Sequence, residues 1–212
     1  MTDAFGPGFF DRVDAADDAA FYSLPRLVTH IDDDAIAAVG ALYDDLGLGG
    51  TDVLDLMGSW VSHFRPTAAP RHLTVLGMNA YELDANRMAD ETVVHDLNTD
   101  PRLPFDDAAF DHVVCCVSVD YLTRPVEVFR DAARVLRPGG RFVVTFSNRL
   151  FPTKAIRGWL MNDSDVHCDI VRQYFELAGE FDVATAELRT PLTQPGDPLY
   201  AVYATRVPHP HP

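Results

Sequence analysis

The hydrophobic positions of this chain fall into short runs separated by amphipathic stretches. Runs at 53–57, 73–78, 92–95, 112–119 and 142–146 are rich in β-branched residues, the pattern of strands covered on both faces. Before the first run, Ile36, Val39, Leu42, Tyr43 and Leu46 recur at helical spacing behind the acids Asp32, Asp33 and Asp34, which suit a helix cap and dipole. Gly47, Gly49 and Gly50 end that helix. Further helices are predicted near 80–88 and 125–136, the second opening on Pro125 and stopping at Arg137-Pro138-Gly139-Gly140. Strands alternating with helices imply a parallel sheet with right-handed crossovers.

The last third changes character. A helical region at 153–178 is followed by predicted strands at 181–188 and 199–205, and the loop at 189–198 holds three prolines and a glycine. That loop suits a hairpin better than a crossover helix. The expected fold is therefore α/β: a Rossmann-like three-layer sandwich with a seven-stranded, mostly parallel sheet and an antiparallel last strand. A length of 212 residues suits a single domain. Residues 1–31 are expected to form an N-terminal cap or lid, loosely ordered over the first 22 or so, and 206–212 a disordered tail.

Composition narrows the partners. No apolar run approaches the length of a membrane span, and the N-terminus carries acids where a secretory signal needs basic and then apolar residues. A soluble, cytoplasmic protein, monomer or homodimer, is expected. The net charge is −15, with 26 Asp against 6 Glu and 16 Arg against the single lysine Lys154. Such a surface repels polyanions, so no nucleic acid is expected, and its acidity is like that of proteins from salt-loving organisms. Cys115 and Cys116 lie in a strand run and Cys168 is alone, which argues for reduced packing thiols. No metal site is expected.

In open α/β sheets ligands bind beyond the carboxyl ends of the strands. That rule selects Asp55-Leu56-Met57-Gly58-Ser59-Trp60, Gly77-Met78-Asn79-Ala80-Tyr81-Glu82, Asp96-Leu97-Asn98, Ser118-Val119-Asp120-Tyr121 and Ser147-Asn148-Arg149. Downstream of Asp96 come Leu103-Pro104-Phe105-Asp106-Asp107, Phe110-Asp111-His112-Val113-Val114, Tyr121-Leu122 and Val135-Leu136-Arg137-Pro138-Gly139-Gly140-Arg141-Phe142. In this order and spacing, residues 50–150 resemble the class I S-adenosylmethionine (SAM) dependent methyltransferases, particularly the type-11 group. The resemblance implies SAM as cofactor. It implies that Asp96 accepts from the adenine amino group while Leu97 and Asn98 line the ring edge, and that Asp55 approaches the amino-acid end. Met57, Gly58, Ser59, Asn79, Glu82 and Val117 complete the implied cofactor set.

Two departures fall within that set. The family's alternating glycines after the first strand are Met57, Ser59 and Val61 here, with Gly58 out of phase. The acid that receives the ribose hydroxyls is Asn79, which lacks the charge of a carboxylate; Glu82, one turn on, is the candidate replacement. Methyl transfer from a sulfonium needs positioning more than a fixed triad. Candidate bases are Asp120, Tyr121 and His63, the last in what reads as the first crossover helix. Candidate acceptor-binding residues are Tyr22, Arg26 and His30 from the N-terminal segment, with Asn148, Arg149 and Lys154 after the fifth strand. Converging cations there would suit a small substrate bearing carboxylate or phosphate. The expected function is SAM-dependent methylation of an unidentified small molecule. The alternative is a catalytically inactive methyltransferase-like binding or regulatory protein. A nicotinamide oxidoreductase is disfavoured, because no GxGxxG follows the first strand.

Overall fold

A computed structural model describes residues 4–191 and 195–208. After the short helix α1 (Asp18–Phe21), helix α2 (Asp33–Asp45) begins where the Asp32 side chain accepts the Ala35 N–H at 2.9 Å, and it buries Ala35, Val39, Leu42 and Tyr43. Strands β1 (Asp52–Leu56) and β2 (His72–Gly77) follow, then helix α3 (Ala80–Asp84) and strands β3 (Glu91–Val94) and β4 (Phe110–Cys116). Helix α4 (Pro125–Val135) leads into β5 (Leu136–Phe146), and α5 (Arg157–Leu160) and α6 (Ser164–Ala178) precede β6 (Thr185–Leu188) and β7 (Tyr200–Thr205).

The sheet order is β3-β2-β1-β4-β5-β7-β6. β1 pairs in parallel with both β2 and β4, so the chain's direction of growth across the sheet reverses between β1 and β4. β7 enters antiparallel between β5 and β6, the arrangement expected from the proline-rich loop. Alternate strand residues feed two cores. Leu54, Val113, Phe142 and Val144 pack with α4 and α6, whereas Val53, Val114 and Val143 pack with α2. Cys115 is buried in this packing, and all three cysteines are free thiols.

Several boundaries differ from the sequence pattern, each for a local reason. β4 stops at Cys116 because Val117 turns to φ 46° and Val119–Tyr121 wind into a 3-10 turn. The 153–178 region breaks in two at Asp163, whose side chain caps α6. Phe181 reaches the sheet edge through an isolated bridge to Arg206, ahead of β6 proper. The crossover helix expected around His63 is absent: between β1 and β2 the chain is irregular apart from a 3-10 turn at Pro66–Ala68. Pro66 and Pro70 interrupt any longer helical ladder there.

The N-terminal segment is docked rather than loose over its described residues. Phe5 is buried with its ring 5.5 Å from that of Tyr174, and Arg12 bridges to Ile156. At the other end, the Arg206 N–H donates to Gly140 and the Val207 N–H to Glu180; the rest of the expected tail, 209–212, lies outside the described residues. No helix among the described residues is long and apolar enough to cross a membrane.

Candidate active site at the carboxyl end of the sheet

A cavity of about 590 Å³ opens beyond the carboxyl ends of β1, β2 and β4, at the point of reversal. All ten residues of the implied cofactor set line it: Asp55, Met57, Gly58, Ser59, Asn79, Glu82, Asp96, Leu97, Asn98 and Val117. β-Strand ends and the turns after them bring these residues together from separations of up to 62 positions.

The turn after β1 approaches the end of β2 closely. The Gly58 N–H donates to Leu76 at 2.9 Å, and a Cβ on Gly77 would collide with the Gly58 carbonyl. Met57 holds φ 57°, a left-handed conformation that glycine adopts at no steric cost. Asp55 is buried beneath this turn. Burial pushes its carboxyl up to about 7, against the pull of the Ser62 hydroxyl, which donates to it at 2.6 Å. Asn86 donates to both the Ser59 carbonyl and the Ser62 hydroxyl, tying the turn to the end of α3.

After β2, Asn79 caps α3 by accepting the Glu82 N–H, and its amide nitrogen donates to the Tyr22 carbonyl at 2.8 Å. Glu82 accepts the Arg26 N–H at 2.6 Å on one oxygen and the Ser59 hydroxyl on the other. After β3, Asp96 folds its own turn, accepting from the Asn98 N–H and the Thr99 hydroxyl. Asn98 is a strut: it donates to Asp18 and the Tyr121 carbonyl and accepts from Thr123.

Among the candidate bases, Tyr121 and His63 line the cavity. Tyr121's hydroxyl accepts the Phe151 N–H at 2.8 Å, and burial keeps its proton on. Burial likewise lowers the pKa of His63. Asp120 does not line the cavity. It is buried, burial pushes its carboxyl up to about 8, and one oxygen has no hydrogen-bond partner among the described residues. It is set aside as a base because the protein interior separates it from any acceptor.

Of the acceptor candidates, Tyr22, Arg26, His30 and Arg149 line the cavity, while Asn148 and Lys154 do not. Lys154 is fully buried, with its Nζ 3.1 Å from Asp14 and 3.0 Å from Asp18. Arg149 is bound to Asp197 at 2.7 Å. The expected pair of converging cations is therefore corrected: Lys154 pairs with Asp14 and Asp18, and Arg149 separately with Asp197. Asp197 and Asp32 also exchange backbone N–H bonds reciprocally, clasping the N-terminal segment to the loop before β7. Trp60 donates to the Val28 carbonyl at 3.0 Å and holds the same segment. Sequence reasoning missed Phe151, Ser62 and Asn86, which reach the site through loops without a residue pattern of their own.

A sheet in this order, with its last strand reversed and a cavity at the point of reversal, defines the class I methyltransferase fold. The comparisons agree. Residues 57–144 match the family model for the methyltransferase domain. A demethylmenaquinone methyltransferase of Mycobacterium sp. (strain JLS) is 37% identical over 114 residues, a match covering 51% of this chain and 49% of that protein. The fold is similar to that of a SAM dependent methyltransferase from Aquifex aeolicus, with TM-score 0.58 and 13% identity over 84% of this chain and 92% of that one. It is also similar to geranyl diphosphate C-methyltransferase from Streptomyces coelicolor A3(2), solved with S-adenosyl-L-homocysteine, with TM-score 0.54 and 16% identity over 81% and 77% of the two chains.

Proposed function

We propose that this chain is a SAM-dependent methyltransferase acting on a small molecule. The observation that carries the reading is the convergence of the ten implied cofactor residues on one cavity at the switch point of the sheet. The residues suit the cofactor. Gly58 and Gly77 bring backbone close to the cavity floor, Glu82 offers a carboxylate where Asn79 lacks one, and the turn from Asp96 to Asn98 presents backbone and an acid side by side. When bound, SAM supplies a methyl group already activated on a sulfonium.

The chain's own work is to orient and to exclude water. Glu82 would exchange the Arg26 N–H and Ser59 hydroxyl for ribose hydroxyls, and Asp96 would accept from adenine while keeping its turn. The segment from Tyr22 to Asp32, fastened by Asn79, Trp60 and Asp197, walls the acceptor side. A cytoplasmic monomer or homodimer is part of the same proposal, as is the lack of a nucleic-acid partner, which the net charge of −15 supports.

One observation favours the alternative of an inactive relative: Asn79 and Glu82 are both engaged by the N-terminal segment. Calorimetry with SAM and with S-adenosylhomocysteine, together with mass analysis of cofactor carried through purification, separates the two. Saturable binding of both supports the methyltransferase; binding of neither assigns the chain to the inactive class.

A further inference from the structure

Phe151 is the hub of the acceptor wall. Around its ring lie those of Phe21 at 5.4 Å, His30 at 5.3 Å and Tyr121 at 5.9 Å, with the Arg26 guanidinium carbon at 5.4 Å. All of these except Phe21 line the cavity. Such a wall favours a flat ring, through edge-to-face or offset contacts and through the cation.

The polar atoms of this wall are largely committed. Tyr121 accepts from Phe151, Arg26 donates to the carbonyls of Phe21 and Leu24, and Arg149 is bound to Asp197. Tyr22 keeps its phenolic proton, since burial and the charges of Asp18 and Asp120 raise its pKa. His30 differs. Neither ring nitrogen makes a hydrogen bond among the described residues, and the residue is exposed at the cavity, its ring edge-on to that of Phe151. The charged groups facing it are Glu82 and Arg26, and burial holds it in its neutral form. An anionic acceptor would meet the carboxylates of Glu82 and Asp96 across the cavity, and Arg149 is already bound to Asp197.

Building on the methyltransferase reading, we propose that the acceptor is a neutral planar ring bearing a hydroxyl, and that His30 removes the hydroxyl proton during transfer. The ring lies against Phe151 and its O–H donates to a free imidazole nitrogen of His30. As the oxygen lone pair forms the new C–O bond, the C–S bond breaks and sulfur keeps its electron pair. The hydroxyl proton passes to His30, and the imidazolium releases it to water. The positive charge of Arg26 favours the oxygen as it becomes negative.

The test measures transfer from SAM labelled in its methyl group to three probes of one shape: 4-propylphenol, 4-propylaniline and 4-propylbenzoate. The label is expected on the phenol oxygen. The rate should rise with pH through one ionisation lying below the ordinary imidazole value of about 6.5. His30→Gln should lower kcat by roughly 10²–10⁴-fold and remove that limb, while still binding S-adenosylhomocysteine. Phe151→Ala should raise the phenol's KM. Preferred labelling of the aniline or benzoate overturns the proposal. So does failure to label the phenol in a protein that binds S-adenosylhomocysteine, or a His30→Gln variant with unchanged kcat and pH profile. A protein that binds neither SAM nor S-adenosylhomocysteine overturns the methyltransferase reading, and this proposal with it.

Discussion

Two buried carboxyls, Asp55 within β1 and Asp120 after β4, are raised to about 7 and about 8 by burial. Between the ordinary carboxyl value near 3.9 and these values, the folded protein holds protons that the unfolded chain has released. Stability therefore falls as pH rises across that window, by up to about 1.4 kcal/mol per pH unit for each group, and levels off above it. Asp120→Asn replaces a neutral acid by a neutral amide at an oxygen that has no hydrogen-bond partner among the described residues. The variant is expected to be more stable than the parent above pH 8 and to lose part of the slope between pH 5 and 8, as read by urea unfolding at several pH values. Equal slopes in the two proteins would show that Asp120 is ionised in the fold. Asp18 is the opposite case: burial pushes it up, but bonds from Arg12, Asn98 and Lys154 outweigh burial and lower it. It joins the N-terminal segment to the turn after β3, so the lone lysine belongs to the scaffold.

At the scale of elements, the two ends of the sheet do different jobs. At the amino end, Arg137 reaches Asp111 at 2.7 Å and Asp52 at 3.1 Å, fastening the starts of β1, β4 and β5. The motif residues Asp111 and Arg137 are therefore structural, and they say nothing about the cavity. At the carboxyl end, the non-glycine residues Met57 and Val117 hold left-handed backbone, a strain of order 1–3 kcal/mol each that the surrounding sheet pairing sustains. Gly77 lets the turn after β1 settle on β2. Gly77→Ala is expected to destabilise by about 1–3 kcal/mol through overpacking, and to weaken S-adenosylhomocysteine binding because the Met57–Gly58 turn must shift. Denaturant unfolding paired with calorimetry checks this; unaltered affinity would mean that the turn is not part of the cofactor site.

Over the whole molecule, a net charge of −15 on 212 residues opposes the compact state through self-repulsion. Salt shortens the screening length from about 10 Å at 0.1 M to about 3 Å at 1 M. The melting temperature is accordingly expected to climb through a potassium chloride series from 0.1 to 2 M, measured by differential scanning fluorimetry. A higher melting temperature at low salt would show that surface ion pairs such as Arg65–Asp44 and Arg124–Glu127 outweigh the repulsion.

The sequence by itself determined the strand–helix alternation, the reversed last strand and the segments that reach the site. Those follow from local periodicity, from turn chemistry and from the rule that ligands meet an α/β sheet at its carboxyl ends. It also located Asp55, Asn79, Asp96 and Glu82, because each directly follows or ends a strand or lies within one turn of it. Only the tertiary structure decided which polar groups remain available. Lys154 and Asp120 look like chemistry in one dimension and prove to be buried, because burial depends on what the N-terminal segment and α6 lay over them. Phe151 carries no pattern of its own, and becomes the centre of a wall when Phe21, Arg26 and His30 fold back across more than a hundred residues. Long-range packing of that kind is invisible to periodicity, which records only what neighbours along the chain share.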